Sequence, residues 1–370
     1  MNDITSATLQ EIVTKFDFPA SVTRVERFGN GHINDTFAVY LQEQAGAPKR
    51  FILQRINSIV FKKPREVLEN IRNVTQYLRS RIAEAGGDPM RETLNMLSAK
   101  DGSCYAMDDD GEYWRVFYFI EDTITRQMVE NKDDFYQSAR AFGQFQKLLA
   151  DYPAHTLHET IPNFHNTVER MNQLRDAIER DVCGRAKDVQ AEIDFVLTRA
   201  QEASYLLDLQ QAGKLPLRVT HNDTKLNNLL LDSQTGAGIC VIDLDTVMPG
   251  LSAYDFGDAI RFGASSAAED EPDLTKVEFV PALFDIYTKG YLEVTGDTLT
   301  HCEIDCLPMG AKLMTLECGS RFLADHLNGD IYYKIHREGH NLDRARTQFK
   351  LIEGMEAQWD AMKEIVNKYR

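Results

Sequence analysis

Acid and amide side chains in one short stretch of the chain have a spacing suited to phosphoryl transfer. Asp223 comes two residues after His221, and Asn228 comes five residues after Asp223. The reaction needs a carboxylate that orients and deprotonates the attacking hydroxyl, and an uncharged oxygen that binds a hard cation. Since this is also the spacing of a kinase catalytic loop, we predict Asp223 as the catalytic base and Asn228 as a metal ligand.

Two further acids follow, the first of them fifteen residues after Asn228. Segment 241–245 has the alternation of a strand, which would place Asp243 and Asp245 on one face and Leu244 on the other. Two carboxylates at one sheet edge suit Mg²⁺. We therefore predict Asp243 and Asp245 as ligands of a magnesium ion.

Supporting roles are predicted for two more residues. A buried Asp255 would accept hydrogen bonds that hold the catalytic loop in shape, and His221 would be a scaffold of the loop rather than a proton carrier. Each residue by itself also fits a turn, a solvated strand end or a hydrogen-bonded scaffold. Their occurrence in order, on a loop, a strand, a turn and a second strand, favours the catalytic interpretation.

Near the N-terminus, a glycine-containing segment lies between two strand patterns. Gly29, Asn30 and Gly31 are predicted to present backbone N–H groups to the phosphates of ATP. Two glycines between strands are also typical of a simple hairpin turn. His32, the next residue, would face a substrate or cap the turn.

The third strand pattern lacks the lysine that contacts phosphate in many kinases. Gln54 stands in the expected register and can donate hydrogen bonds to a phosphate, but it brings no charge. Arg55, one residue further, should face the other side of the strand. The pattern leaves open which residue contacts the phosphates.

Composition narrows the range of partners. The 370 residues carry a net charge of −16, from 41 basic and 57 acidic residues, which disfavours nucleic acid and anionic membranes. A nucleotide can still bind, because a local site of metal ion and backbone N–H groups needs no basic surface. Few cysteines, no basic leader and no apolar run of membrane-spanning length lead us to expect a soluble cytoplasmic protein. The oligomeric state stays open, and a monomer is compatible with the sequence.

The two ends of the chain differ in periodicity. Strand patterns at 22–28, 35–40, 50–56, 93–97 and 112–119, with one helix from 64 to about 81, fill the first third. Helical patterns dominate further on, at 135–149, 189–209, 283–292, 304–327 and 344–366, and two strands at 228–232 and 238–245 form a hairpin among them. We predict an α+β fold of two lobes: a small β-rich nucleotide-binding lobe, 1–120, and a large, mainly helical catalytic and substrate-binding lobe, 121–370.

These motifs resemble the aminoglycoside phosphotransferase and choline kinase superfamily, whose signature is a His-x-Asp-x-x-x-x-Asn loop followed by an Ile-Asp strand. Within it, the chain is similar to the N-acetylhexosamine 1-kinases nearly from end to end. The segments that carry this likeness are LRVTHNDTKLNN at 217–228, IDLDT at 242–246, DFGD at 255–258 and ECGSRFLAD at 317–325.

The resemblance implies a bilobal, protein-kinase-like fold and transfer of the γ-phosphate of ATP to the anomeric hydroxyl of N-acetylglucosamine or N-acetylgalactosamine. It also implies that Asp223 contacts this hydroxyl, and that the sugar site includes Asn222, His32, Arg321 and Tyr332. Helical spacing alone would make Arg321 an i, i+4 partner of Asp325 and would place Tyr332 in the core.

On the nucleotide side, the resemblance makes Gln54 the family's own residue on the third strand. It places adenine near 119–121, bonded mainly to backbone, with Glu121 among the nucleotide contacts. Two other interpretations stay open: a related kinase for an aminoglycoside, choline or homoserine, and a nucleotide-binding protein without catalysis. The complete set of Asp223, Asn228 and Asp243 argues against the latter.

Overall fold

The structure, a computed structural model, describes residues 4–29, 33–43 and 50–370. Within these ranges a sheet dominates the N-terminal part, and helices dominate the rest of the chain. This division confirms the predicted α+β architecture. No helix in the described ranges is long and apolar enough to span a membrane.

An antiparallel sheet of six strands organises the described N-terminal part. Its order is β1-β2-β3-β6-β4, and β5 pairs with β6 as well. The strands are β1 (Val22–Arg27), β2 (Asp35–Leu41), β3 (Arg50–Arg55), β4 (Met96–Leu97), β5 (Ala106–Met107) and β6 (Tyr113–Tyr118). The predicted strands are confirmed, except that the one at 93–97 is reduced to two residues.

Two helices accompany this sheet, α1 (Ser6–Val13) and α2 (Pro64–Glu84). Proline fits the first turn of α2 because its missing N–H would have no helical partner there. The apolar residues of α2 recur every three or four positions and are buried, which confirms the predicted helix.

Ten helices form most of the described C-terminal part. They are α3 (Lys132–Leu148), α4 (Thr167–Arg180), α5 (Gln190–Leu197), α6 (Tyr205–Gln211), α7 (Ser252–Gly263), α8 (Pro281–Thr295), α9 (His301–Asp305), α10 (Leu307–Leu327), α11 (His340–Ala357) and α12 (Trp359–Tyr369). The helical patterns at 189–209, 304–327 and 344–366 are confirmed, but each region is broken into two helices.

Side-chain contacts explain the first of these breaks. Thr198 Oγ1 donates to the carbonyl of Asp194, and Arg199 Nη1 donates to the carbonyl of Phe195. These bonds occupy carbonyls in the last turn of α5, so the chain can leave the helix without burying unpaired acceptors.

Short strands hold the catalytic segments. In one small sheet β10 (Gly238–Val241) pairs with β9 (Leu229–Asp232), which pairs with β7 (Thr123–Ile124). In the other, β8 (Arg218–Thr220) pairs with β11 (Met248–Gly250). The predicted hairpin is confirmed, but its second strand ends at Val241, four residues earlier than predicted.

Helices α7 and α10 approach each other closely at two glycines. A Cβ on Gly257 would lie 2.3 Å from the carbonyl oxygen of Gly310, so only glycine fits this contact. Helix α7 carries Asp255, and α10 carries Arg321. The glycine contact thereby fixes the support of the catalytic loop relative to the predicted acceptor residues.

Candidate active site

The catalytic loop begins where β8 ends, and its backbone turns sharply at Asn222. This residue has a φ of 65°, a left-handed conformation that asparagine tolerates better than most residues. Its side-chain Nδ2 donates to the carbonyls of Thr220, at 3.3 Å, and Thr246, at 2.8 Å. The structure thus directs the Asn222 side chain into the loop rather than toward an acceptor.

Asp255, on the first turn of α7, holds the backbone of this loop. Its carboxylate accepts the N–H of His221 at 2.9 Å and the N–H of Asn222 at 2.8 Å. Gln146 Nε2 donates to the same carboxylate, and Thr224 Oγ1 donates to the Asp255 carbonyl. Burial raises the pKa of Asp255, while its N–H donors oppose that rise.

His221 is fully buried and joins the catalytic loop to the segment before Asp243. The backbone N–H of Asp223 donates to Nδ1 at 3.2 Å, so Nδ1 carries the lone pair and the ring proton lies on Nε2. Nε2 then donates to the Ile242 carbonyl at 2.9 Å. These contacts leave the His221 ring with a scaffolding role.

The Asp223 carboxylate lies among donors and is 28% exposed. Asn228 Nδ2 donates to Oδ2 at 2.9 Å, and Lys225 Nζ lies 2.9 Å from Oδ1. Burial by itself would raise the pKa of Asp223, but the Lys225 ammonium and the Asn228 amide outweigh it and hold the pKa below its usual value. The carboxylate is therefore ionised and able to accept a proton.

Asn228 and Asp243 present the oxygen ligands suited to a hard cation. Because Asn228 Nδ2 is bonded to Asp223, its Oδ1 points away from that contact. The backbone carbonyl of Asn228 accepts the N–H of Ile242 at 2.9 Å, which brings Asp243 alongside.

Asp243 is solvent-accessible, and among the described residues its carboxylate has neither a hydrogen-bond donor nor an ion-pair partner. Desolvation by surrounding protein, together with the charges of Asp245 and Asp223, raises its pKa to about 7. An uncompensated carboxylate beside a free amide oxygen fits a bound Mg²⁺. In the described part of the chain, no three His, Cys, Asp or Glu side chains form a metal cluster, so other ligands would have to come from the nucleotide or water.

Asp245 has a different environment from Asp243. The backbone of Asp243 is left-handed, with a φ of 60°, and opens a 3-10 turn over Leu244–Thr246. The predicted strand alternation over 241–245 is therefore wrong. Asp243 is exposed, whereas Asp245 is buried, forms an ion pair with Arg115 and accepts a hydrogen bond from Asn34 Nδ2.

The predicted phosphate side of the site is described only in part. Gly29 has a φ of 75° and ends the exposed turn after β1, whereas Asn30, Gly31 and His32 lie outside the described residues. Gln54 accepts two hydrogen bonds from the Arg115 guanidinium, at 3.0 and 2.8 Å. The Gln54 amide is thus engaged within the sheet.

Arg55 faces the opposite side of β3 from Gln54, as strand alternation predicts. Its guanidinium pairs with Asp35 at 2.7 Å, and Asp35 stands opposite Arg55 in the register of β2 and β3. Arg55 is 5% exposed. Its charge is therefore turned away from the face that carries Gln54.

At the predicted adenine position, Glu121 pairs with Arg50. The Arg50 guanidinium also lies 3.9 Å above the Phe119 ring, and the Phe28 ring meets Phe119 edge to face at 5.6 Å. Arg50 thus occupies the Glu121 carboxylate, and Arg91 Nη1 donates to the Glu121 carbonyl at 3.1 Å.

Arg321 lies half-buried among aromatic rings. Its guanidinium carbon is 5.6 Å from the Phe164 ring centre, 5.9 Å from Tyr332 and 5.6 Å from Tyr333. It contacts no hydrogen-bond acceptor or carboxylate among the described residues, so the pairing of Arg321 with Asp325 suggested by helical spacing is wrong. The N–H groups of Arg321 are thus available to a bound molecule.

Asp325 instead holds the loop that follows α10. Oδ1 accepts the N–H groups of Ile331 and Tyr332 at 3.0 and 2.8 Å, and Oδ2 accepts that of Tyr333 at 2.9 Å. Tyr332 is 65% exposed beside Arg321, so its assignment to the core from pattern alone is wrong.

Two charged residues of the site were not predicted from the sequence. Lys225 lies inside the catalytic loop, where a cation two residues after the proposed base was the available signal. Arg115 is the one arginine in the otherwise apolar and aromatic strand YWRVFY, and a charge in such a strand needs a buried partner.

An N-terminal sheet, a helical C-terminal part and a loop that brings Asp223, Asn228 and Asp243 together define a kinase-like phosphotransferase. The chain belongs to the phosphotransferase enzyme family, APH, whose sequence model matches residues 24–291.

Solved structures of similar fold include three small-molecule kinases. An aminoglycoside phosphotransferase from Alicyclobacillus acidocaldarius is 13% identical over 100% of this chain and 98% of that chain, with a TM-score of 0.65. A choline kinase from Cryptosporidium parvum is 15% identical over 93% and 92%, with a TM-score of 0.56. An amicoumacin kinase, in complex with AMP-PNP and Ca²⁺, is 12% identical over 94% and 93%, with a TM-score of 0.60. These similarities confirm the predicted kinase-like fold.

Proposed function

We propose that the chain is a Mg²⁺-dependent kinase that transfers the γ-phosphate of ATP to the anomeric hydroxyl of N-acetylglucosamine or N-acetylgalactosamine. The observation that carries the kinase assignment is the grouping of an ionised Asp223, held by Lys225 and Asn228, with the Asp243 carboxylate, which has no partner within the described ranges. The sugar acceptor is supported by the resemblance of the motifs and by the charges around Arg321.

In the proposed reaction, Asp223 orients the anomeric hydroxyl and accepts its proton. A bond forms between the hydroxyl oxygen and the γ-phosphorus as the bond from that phosphorus to the oxygen of the departing ADP breaks. An anomeric hydroxyl is more acidic than an ordinary alcohol, so a carboxylate with a low pKa suffices as base late in the transfer. Mg²⁺, held by Asn228 and Asp243, would neutralise charge on the phosphates.

The nucleotide would bind between the two proposed lobes, residues 1–120 and 121–370. We assign the phosphates to the backbone of Gly29, Asn30 and Gly31, and the adenine to the backbone near Glu121. Gln54 lines the sheet on this side through its contact with Arg115.

Charge supports a neutral acceptor over a cationic one. Arg170 lies near Arg321, and its pKa is lowered by burial and by the Arg321 charge. The nearby buried carboxylate of Glu317 already pairs with His165 at 2.9 Å. A choline, amine or aminoglycoside cation would meet two guanidinium groups there, whereas sugar hydroxyl and acetamide oxygens can accept from Arg321.

Aromatic rings beside Arg321 also suit a sugar. Tyr332 is exposed there, and Phe164 and Tyr333 complete the surroundings of the guanidinium. We assign Arg321, Tyr332 and His32 to acceptor binding, with Asp223 at the reacting hydroxyl. The side chain of Asn222 supports the loop instead.

ADP release with Mg²⁺ and ATP tests the proposal on a panel of N-acetylhexosamines, hexoses, choline, homoserine and an aminoglycoside. We expect turnover of the N-acetyl sugars, a phosphate on C1 by NMR, and loss of activity in Asp223→Asn. Turnover of choline, homoserine or the aminoglycoside alone would replace the sugar assignment with another acceptor. Nucleotide binding without turnover of any compound would indicate a non-catalytic nucleotide-binding protein.

A further inference from the structure

Three polar residues form a row across the middle of the N-terminal sheet. Thr36 on β2 stands opposite Gln54 on β3, and Gln54 stands opposite Arg115 on β6. Directly opposed residues of antiparallel strands share a face. Accordingly, Gln54 donates to Thr36 Oγ1 at 3.0 Å and accepts from Arg115 Nε and Nη2 at 3.0 and 2.8 Å.

Asp245, from the C-terminal part of the chain, completes this row. Arg115 Nη1 donates to its Oδ1, and the side chains of both residues are almost wholly buried, at 2% and 4% exposure. Asn34, just before β2, donates to Oδ2, while its own Oδ1 accepts the N–H of Asn57 at 2.9 Å. Both oxygens of Asp245 are therefore bonded to residues of the N-terminal part.

These contacts connect the sheet to the proposed metal ligand. Only Leu244 separates Asp245 from Asp243, and the turn over Leu244–Thr246 is tied to the catalytic loop by the Thr246 hydroxyl, which donates to the His221 carbonyl at 2.7 Å. A shift of Asp245 would move Asp243 relative to the sheet. It would also break a buried ion pair and leave a buried charge without its partner.

We propose that Asp245 is a positioning residue: its buried pair with Arg115 fixes the turn that carries Asp243 against the nucleotide-binding sheet. The inference rests on the proposed function and deepens it, because it separates the two acids that the sequence predicts as metal ligands. Asp243 meets the metal nucleotide, and Asp245 sets where Asp243 stands.

A double-mutant cycle tests this assignment with Asp245→Asn, Arg115→Gln and the double variant. Affinity for AMP-PNP is measured by calorimetry at several Mg²⁺ concentrations, and the KM for ATP and kcat are measured alongside. We expect each single variant to weaken nucleotide affinity about tenfold or more, and the double variant to lose no more than the worse single one. The Mg²⁺ concentration for half-maximal binding should change by the same factor in both single variants, because each displaces the same Asp243.

If these substitutions unfold the protein, milder variants still test the proposal. Arg115→Lys retains the charge and should recover part of the affinity, and Asn34→Ala removes one bond to Asp245 and should weaken affinity less than Asp245→Asn. Glu356→Gln is a matched control, because Glu356 on α11 also forms a partly buried pair, with Arg199 at 2.7 Å, and neither α11 nor the segment after α5 carries a proposed site residue. It should lower the melting temperature without changing nucleotide affinity.

Several results would overturn the assignment. A large rise in the Mg²⁺ requirement in Asp245→Asn, with none in Arg115→Gln, would make Asp245 a metal ligand. Independent, additive losses in the two variants, or an equal loss in Glu356→Gln, would remove the specific role of the pair. If the wild type binds AMP-PNP but phosphorylates no acceptor, only the proposed function fails, and the cycle still reports on Asp245. If the wild type binds no nucleotide, both proposals fail.

Discussion

Replacing Asp325 by asparagine should weaken acceptor use while leaving ATP binding intact. The carboxylate accepts three backbone N–H groups from residues 331–333 and a fourth hydrogen bond from Asn341 Nδ2, divided equally between its two oxygens. In the variant, one oxygen becomes an NH₂ group that faces donors, so at least two of the four bonds are lost.

The size of the effect follows from these bonds. Hydrogen bonds to a charged group contribute about 1.5 to 3 kcal/mol each, and a loop near the surface recovers part of the loss by hydration. We expect a net cost of about 2 to 3 kcal/mol for ordering Tyr332 beside Arg321. That corresponds to a fall of about thirty- to 150-fold in kcat/KM for the acceptor.

Steady-state kinetics measure this expectation, with the acceptor varied at saturating ATP and ATP varied at saturating acceptor. Asp343→Asn is the matched control, since Asp343 is in the same region and pairs with the more exposed Arg337. It should leave both values unchanged. Wild-type kcat/KM for the acceptor in a folded Asp325→Asn protein, or an equal rise in the KM for ATP, would refute the role of this loop.

Three other expectations follow from single contacts. Lys225→Met removes the charge that lowers the pKa of Asp223, so this pKa should rise. The acidic limb of the pH profile of kcat should then move to higher pH, and kcat should fall about tenfold or more. An acidic limb at the wild-type pH would contradict this prediction. Gly257→Ala places a Cβ against the carbonyl of Gly310 and should lower the free energy of unfolding in urea by about 1 to 3 kcal/mol, whereas an unchanged midpoint would show that the helices separate easily. Burial would lower the pKa of His165, but its buried partner Glu317 outweighs burial and raises the pKa. The pair therefore stabilises the fold fully below the unfolded-state pKa of about 6.5. This stabilisation is lost as pH rises through the higher folded-state pKa. The difference in melting temperature between wild type and His165→Gln should therefore be larger at about pH 6 than at about pH 9, and a constant difference would refute the charged pair.

Sequence spacing predicts that Asp223 and Asn228 meet, because their contact is local. Asp223 and Asn228 lie within one turn of chain, and Asn228 Nδ2 contacts both the carbonyl and the carboxylate of Asp223. Strand periodicity likewise predicts β3, whose apolar side chains alternate into the core.

Local sequence patterns do not predict the long-range contacts of the site. Arg115 and Asp245 are separated by 130 residues, and nothing in either local pattern indicates that they meet. The strand expected over 241–245 depended on alternation alone, which cannot reveal a left-handed residue at Asp243. Helical spacing suggested that Arg321 pairs with Asp325. The Asp325 carboxylate instead accepts hydrogen bonds from backbone N–H groups of the loop after α10.

Asp243 and Asp245 lie in different environments, and this difference shows how the fold accommodates the proposed cation site. Asp243 combines a left-handed backbone with a carboxylate that has no partner in the described part of the chain and whose pKa is raised to about 7 by desolvation by surrounding protein and by neighbouring acids. Both features cost stability in the absence of a cation, and such costs persist where the surrounding structure fixes them and function uses them. The structure supplies that fixation on both sides of the residue: the N–H of Ile242 donates to the Asn228 carbonyl, and Asp245 is held by Arg115. Because its neighbours are anchored, the backbone of Asp243 is held in place, as the proposed metal site requires.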